Sequence, residues 1–316
     1  MIIMAQYFIK RFFSMTIAMV GLTLIAFFLM RIMPGDPIES YYLANNIPVT
    51  EEILEQARVE QGLDQPLLTQ YVTWLGGVLK FDFGISFMNG KAVSEELLTY
   101  FSVTIQLALV AFLFILMICI PIGVLSAVKR HSIFDNLTRI TIFFVASMPS
   151  FWLGFVLIYI FAFKFNLFPL MGWGTADAII LPALTLALAN VPFYVRMIRT
   201  NMIEQMDKPF VAFARARGII ESVIIRKHIF KATLTPFITS LAMTLGVLIG
   251  GAAIVEIIFS IPGMGRFIVD AITARDYNVM QGFILMIGFF YIIVNFLADI
   301  ICALIDPRIR LKEKVS

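Results

Sequence analysis

The chain lacks the sequence motifs by which many enzymes bind nucleotide or attack a substrate. It has no G-x-x-x-x-G-K-[ST] phosphate loop, no H-E-x-x-H zinc motif and no G-x-S-x-G nucleophile turn. These absences argue against a nucleotide-hydrolysing subunit, a zinc protease and an esterase-like hydrolase. We therefore expect a chain that is not an enzyme and binds no cofactor of its own.

Cysteine and histidine are almost missing from the sequence. Cys119 and Cys302 both fall in long apolar stretches, where a thiol packs as a small hydrophobic group, so neither a disulfide framework nor a thiolate metal site is expected. His131 and His228 lie far apart in charged segments without a carboxylate or thiol cluster nearby. The sequence predicts no metal site.

Charge is also scarce, because only 14% of the 316 residues are charged while 60% are apolar and 31 are Phe. Six stretches without charge are each close to the roughly 20 residues that a helix needs to cross hydrocarbon. The fourth contains Pro182 and Pro192, and we expect a kinked helix there rather than a loop. We expect the first to be retained as a membrane helix. The six predicted spans are Phe12–Met30, Phe101–Val128, Ile140–Phe163, Ala178–Val195, Ala232–Val255 and Tyr277–Ala298.

Most Lys and Arg residues fall on one side of these spans if the N-terminus lies inside the cell. The positive-inside rule therefore places both termini in the cytoplasm. The net charge of +3 follows from this bias and is not a nucleic-acid signal.

The segment 34–100 carries ten acidic residues against three basic ones, which fits an external location. One helix is expected to start after Thr50, and Leu67, Tyr71, Trp74 or Leu75, and Val78 recur at helical spacing in a second. We interpret the segment as an external helical cap. It either covers the outer mouth or receives a substrate-delivering partner. The predicted organisation is 1–33 with the first span, 34–100 as the cap, and 101–316 as a five-helix core.

The cytoplasmic segment 196–231 carries eight basic and three acidic residues. Within it, Phe210, Val211, Phe213 and Ala214 form an apolar stripe, Gly218 permits a tight turn, and an amphipathic run follows from Ile219 to Phe230. A helix, a sharp turn and a second helix make a compact element that can dock in a groove of a partner protein. The alternative is an ordinary positive loop that interacts with anionic lipid.

Several residues within and just after the fifth span are candidates for a gate or pathway. Gly246 and Gly250 permit close approach of another helix, and Pro262 and Gly263 form a turn after the fifth span. Glu256 lies near the outer end of the fifth span. It is interpreted as one half of a structural ion pair with Arg266, with a gating or substrate contact as the alternative.

One acidic residue lies near the inner end of the sixth span. Asp299 is expected to pair with another helix or a basic loop, because an unpaired charge in hydrocarbon is costly. It is therefore a structural charge candidate.

The block FARARG, Phe213 to Gly218, resembles the cytoplasmic loop of inner-membrane permeases of ABC importers, specifically the dipeptide, oligopeptide and nickel group. Ala214 and Gly218 match the family's second alanine and glycine, whereas Ala212 stands where the family has glutamate. Further blocks in the family's order are RIMPGDP (31–37), FDFGISF (81–87), LPALTLAL (181–188), EIIFSIPGMG (256–265) and DPRIR (306–310).

This resemblance implies an all-α type I ABC importer permease with six membrane helices in the bacterial inner membrane. It also implies a second homologous permease, two cytoplasmic ATPases holding ATP and Mg, and an external substrate-binding protein as partners. The residues implied to contact the ATPase are Phe210, Phe213, Ala214, Arg215, Ala216, Arg217 and Gly218.

Three functional alternatives remain open on the sequence. The transported substrate could be a peptide, nickel or a metal-chelator complex, and we favour peptide. A different class, an ion-coupled secondary transporter, would need a coupling site near the bilayer midplane, for which only the prolines of the fourth span offer a hint. A membrane scaffold without transport activity is the third.

Overall fold

The computed structural model describes residues 2–32, 37–44, 47–48, 50–60 and 62–305. RIMPGDP lies partly, and DPRIR wholly, outside these residues, as does the side chain of Cys302. Regular structure in the described part is helical, apart from one antiparallel bridge between Ile85 and Ala92. The helices are α1 Ile2–Ile32, α2 Pro37–Ala44, α3 Glu51–Glu60, α4 Leu67–Val78, α5 Val93–Val128, α6 Ile133–Ser147, α7 Ser150–Leu157, α8 Ile180–Met206, α9 Pro209–Ala216, α10 Glu221–Val223, α11 Phe230–Gly251, α12 Ala253–Ile258, α13 Met264–Thr273 and α14 Tyr277–Ile305; Ile158–Lys164 and Ile224–Ile229 are π-helical.

Four helices are long and apolar enough to cross a membrane, namely Ile9–Ile32, Val93–Val128, Ile180–Met206 and Tyr277–Ile300. They contain or overlap the first, second, fourth and sixth predicted spans. Two bent helix pairs bring the possible total to six in the described part. The all-α, multi-span fold predicted from the sequence is confirmed.

The third predicted span, Ile140–Phe163, is not one straight helix. α6 ends at Ser147, and the following helical stretch Ser150–Lys164 is bent by 108° relative to α6. Met148 is extended, with φ −90° and ψ 130°, because the ring of Pro149 disfavours helical backbone in the residue before it. Together the two helices are long and apolar enough to form one span broken at this bend, so a single third span remains a prediction.

The fourth predicted span is helical, as expected from the sequence. α8 runs from Ile180 to Met206 without a break. Pro182 sits in its first turn, where the missing N–H would have no helical partner, and Pro192 lies in its interior. The interpretation as a helix rather than a loop is therefore confirmed.

The chain divides into two compact units, and the first comprises 1–104 and 262–293. Its core includes Val93, Leu97, Phe267, Tyr277 and Met280. Both predicted helices of the 34–100 segment are present, α3 starting directly after Thr50 and α4 carrying the predicted apolar stripe. The external position of that segment and the predicted boundaries at 33 and 100 remain predictions.

Asp276 anchors the FDFGISF block within the first unit. Its buried carboxylate accepts hydrogen bonds from the Ser86 hydroxyl at 2.7 Å and from the backbone N–H groups of Phe87 at 2.6 Å and Met88 at 3.2 Å. It also accepts from the N–H of Val279 at 3.1 Å, which caps the start of α14. One carboxylate thus joins the loop before α5 to the first turn of α14.

The second unit comprises 105–261 and 294–316, with α8 buried at its centre against α6, α7 and α11. The Tyr194 hydroxyl on α8 hydrogen-bonds the Thr244 hydroxyl and lies 2.9 Å from the Ser240 carbonyl oxygen on α11. Gly123 of α5 allows close packing, because a Cβ there would lie 2.9 Å from the Cβ of Ile198. Cys119 is fully buried nearby on α5.

Candidate functional site

The predicted docking element is a short helix followed by a tight turn. Lys208 is extended and Pro209 occupies the first position of α9, where its fixed φ suits a helix start. At the other end, the N–H of Ile219 donates to the Ala214 carbonyl at 3.2 Å and that of Gly218 to the Arg215 carbonyl at 2.9 Å. Gly218 has φ +74°, so this is a Schellman motif that requires left-handed backbone.

α9 has two different apolar faces. Val211 and Ala214 are buried, at 0% and 7% exposure, and α9 contacts the π-helical segment 224–229. Phe210 and Phe213 are instead 42% and 65% exposed. The single stripe predicted from the sequence is therefore divided into an inward pair and an outward aromatic pair.

Charged side chains frame the exposed aromatic pair. The Arg217 guanidinium lies 5.6 Å from the centre of the Phe213 ring, a cation–π contact. Arg215 makes two hydrogen bonds to Glu221 across the turn, at 3.0 and 2.7 Å, and this carboxylate raises the pKa of the Arg215 guanidinium. Both partners are about half exposed, so the pair orients the turn more than it stabilises it.

The amphipathic run after the turn is present, but part of it is π-helical. Ile224 and Ile229, five residues apart, are both fully buried. In an α-helix a five-residue spacing would place them on different faces, whereas i→i+5 bonding aligns them. Arg226, Lys227 and His228 between them are exposed.

A buried ionic network beside this segment was not foreseen from the sequence. Asp135, 0% exposed at the start of α6, accepts from Arg199 of α8 at 2.7 Å on both oxygens. It also accepts from the Ser126 hydroxyl at 2.5 Å and from the His131 N–H at 3.0 Å. The only sequence signal was the Ser-x-x-Asp spacing at 132–135, which marks a helix start.

The pathway candidates lie at or near helix ends and on α11. Gly246 is buried, whereas Gly250 is exposed and a Cβ there would meet no atom within 4 Å. α12 ends in a second left-handed turn, at Ser260 with φ +53°, before exposed Pro262 and buried Gly263, which caps α13.

Glu256 is fully buried on α12, and Asp299 is partly buried on α14. The ion pair of Glu256 with Arg266 and the pairing of Asp299 remain predictions.

Similarity to solved structures defines the class of the fold. A chain of the inward-facing MetNI methionine ABC transporter in one crystal form matches with a TM-score of 0.56 and 22% identity, covering 66% of this chain and 96% of that one. A second crystal form matches with a TM-score of 0.57 and 19% identity. The helical arrangement is that of a chain of this ABC transporter.

Sequence similarity defines the family. A model of the binding-protein-dependent transport system inner membrane component matches residues 119–311, and a model of the N-terminal part of such components matches residues 4–108. The chain belongs to this family of permeases. It is a multi-pass inner-membrane transport subunit of an ABC importer.

Three curated relatives illustrate the range of the family. A putative peptide transport system permease protein of Brucella abortus is 36% identical, covering 97% of this chain and 99% of the relative. The dipeptide transport system permease protein DppB of Escherichia coli is 33% identical, with 98% and 100% coverage. The nickel import system permease protein NikB of Staphylococcus aureus is 32% identical, with 96% and 91% coverage.

Proposed function

We propose that this permease forms, together with a second homologous permease, the membrane path of a peptide importer. The Brucella abortus and Escherichia coli relatives, a putative peptide permease and a dipeptide permease, support a peptide substrate. A nickel ion or metal-chelator complex is the second candidate, favoured by the similarity to the nickel permease. An external substrate-binding protein delivers the substrate in either case.

The segment 196–231 is proposed to couple this path to two cytoplasmic ATPases, which hold ATP and Mg. The observation that carries the proposal is the outward pair Phe210 and Phe213 on a helix whose opposite face is already packed. Exposed aromatic side chains beside Arg217 and Arg215 are typical of the anchors that dominate protein interfaces. A groove on each ATPase would receive one such helix, from this chain and from its partner permease.

The packing of α9 suggests how movement passes into the membrane helices. Only Asp207 and Lys208 separate α9 from α8, and the inward face of α9 contacts the π-helical segment that leads into α11. A displacement of α9 by closing ATPases would therefore act on α8 and α11 together. We propose that this converts an inward-open path into an outward-open one.

The test combines Phe210→Ala and Phe213→Ala in the importer purified with its partner subunits in mild detergent. Truncating two interface aromatics is expected to cost about 2 kcal/mol or more, a roughly thirtyfold loss of ATPase binding. ATPase retention and substrate uptake should both collapse while the amount of the chain in the membrane stays unchanged. The matched control is Phe13→Ala, because Phe13 is 66% exposed and lies on α1, away from the segment in sequence.

Full ATPase retention in the double variant would contradict the coupling role. The substrate is tested on the unaltered importer by comparing uptake of labelled dipeptide with uptake of labelled nickel, each with and without the chain. Chain-dependent dipeptide uptake supports the peptide proposal. Chain-dependent nickel uptake without dipeptide uptake would replace it with the second candidate.

A further inference from the structure

α4 differs in composition from the acidic helix that precedes it. The stretch from Pro66 to Leu79 contains no charged residue, and Asp64 and Lys80 flank it. α3, by contrast, carries four glutamates in ten residues. An uncharged helix of 12 residues is too short to span a bilayer but has the length of an interfacial or re-entrant segment.

α4 packs against a part of α1 that lies within a membrane span. The Tyr71 hydroxyl is 2.8 Å from the Thr23 hydroxyl, and the Phe27 ring lies 5.4 Å from Tyr71 and 5.6 Å from Trp74. Thr23 belongs to the candidate span Ile9–Ile32 and lies nine residues before its end. At about 1.5 Å per residue, the contact is about 14 Å inward from the predicted outer end.

Polar groups at this contact satisfy one another instead of depending on water. Thr23 is only 8% exposed and also donates to the Val20 carbonyl at 2.8 Å. Nearer the predicted outer end, Arg31 donates to the side-chain oxygen of Gln70 and lies 5.0 Å from the centre of the Phe27 ring. This gradient, with hydroxyls paired deep and a cation at the end, fits a membrane interface.

The other face of α4 presents apolar side chains that the described residues leave uncovered. Leu68 is 75% exposed, Val72 60%, and Leu79, directly after the helix, 77%. Their spacing places them on one stripe of the helix. Neighbouring α1 exposes Ile25 at 58% and Phe28 at 44%, so an apolar surface is present on both helices. α1 contains the candidate span Ile9–Ile32, and its exposed apolar surface is continued by that of α4.

We propose that α4 lies in the outer leaflet of the membrane, with Leu68, Val72 and Leu79 against lipid acyl chains. α3 and its carboxylates remain in water, so the predicted external cap is divided between lipid and solvent. Tyr71 and Trp74 have the amphipathic rings that favour the interface. The proposal concerns the membrane seating of this chain and does not depend on which substrate is transported.

Nitroxide spin labels at Leu68→Cys, Val72→Cys and Leu79→Cys test the proposal, in a chain carrying Cys119→Ala and Cys302→Ala. The importer is reconstituted with its partner subunits in vesicles of phosphatidylethanolamine and phosphatidylglycerol. Collision rates are measured with oxygen, which concentrates in lipid, and with a water-soluble nickel chelate. The control positions are Glu52→Cys and Gln56→Cys on exposed faces of α3.

Labels on α4 are expected to collide mainly with oxygen, and those on α3 mainly with the nickel chelate. Equal access of the chelate to both helices would overturn the proposal and leave α4 in water. Protection of α4 labels from both reagents would also overturn it, because a protein partner would then cover the stripe. Substrate uptake by each labelled importer establishes that the variant is folded. Because three positions on α4 are labelled, the test still stands if one variant fails to fold.

Discussion

Gly218 shows how one backbone angle shapes the proposed coupling segment, 196–231. Its φ of +74° lies in the left-handed region, where a residue with a Cβ pays a penalty of about 1–2 kcal/mol. A Cβ at this position would meet no atom within 4 Å, so space is not the constraint. The requirement for glycine is conformational and comes from the turn that orients α9.

Substitution of Gly218 should separate turn geometry from side-chain size. Gly218→Val is expected to weaken the Schellman turn and to reduce uptake more than ATP hydrolysis, because a β-branched residue resists left-handed backbone. Gly218→Asn, which tolerates that backbone better, should retain most uptake. Uptake, ATP hydrolysis and the amount of chain in the membrane are measured in parallel. Equal uptake by the valine and asparagine variants would show that the angle does not matter.

The buried ion pair of Asp135 and Arg199 is a second feature in which substitution of one residue should have a large effect. Asp135 is completely buried and Arg199 is 18% exposed, and removing one partner of such a pair leaves an uncompensated charge. We expect Asp135→Ala to destabilise the protein by about 3–5 kcal/mol. Thermal unfolding of the purified importer in detergent, followed by intrinsic fluorescence, measures the loss.

A double variant distinguishes the buried charge from simple loss of packing. Asp135→Leu combined with Arg199→Met removes both charges and should recover much of the stability lost in Asp135→Ala. Arg139→Ala, an exposed position on the same helix, is the control and should change little. A double variant as unstable as Asp135→Ala would mean that the network's hydrogen bonds, not its charge balance, stabilise this region.

At the scale of elements, long runs without charge were sufficient to predict most spans. Hydropathy could not reveal the 108° bend after α6, because Met148 and Pro149 continue the apolar composition while changing the backbone. Sequence periodicity also failed to predict the π-helical segment Ile224–Ile229. Ile224 and Ile229 look out of register under α-helical periodicity and are aligned only once the i→i+5 bonding is known.

The buried acids mark another limit of sequence reasoning. Asp135 and Asp276 both lie near predicted loops, where acidic residues are ordinary, and nothing local identifies their distant partners. Arg199 is 64 positions from Asp135, and Ser86 is 190 positions from Asp276. The helix, the turn and Gly218 of the proposed coupling segment were predictable because their signals are local. Which of the two apolar pairs of α9 faces outward depends on packing against the π-helical segment 224–229.

At the scale of the whole molecule, the source of energy separates an ABC importer from an ion-coupled transporter. The sequence contains no phosphate loop, and groups of three or more His, Cys, Asp or Glu side chains able to hold a metal ion are absent from the described residues. Under the proposed coupling role, partner ATPases impose movement through the surface of α9. The chain should therefore be inactive without its partner ATPases, however intact its membrane helices are.

Uptake measured with ATP held constant provides the decisive comparison. A protonophore that removes the ion gradient should leave chain-dependent uptake nearly unchanged, since the gradient does no work on an ATP-driven path. In the partner ATPases, the phosphate-loop lysine reaches the β- and γ-phosphates of ATP, so its replacement should abolish chain-dependent uptake. If the protonophore stops uptake at constant ATP and the ATPase variants do not, then the coupling site lies within the membrane helices and α9 has another role.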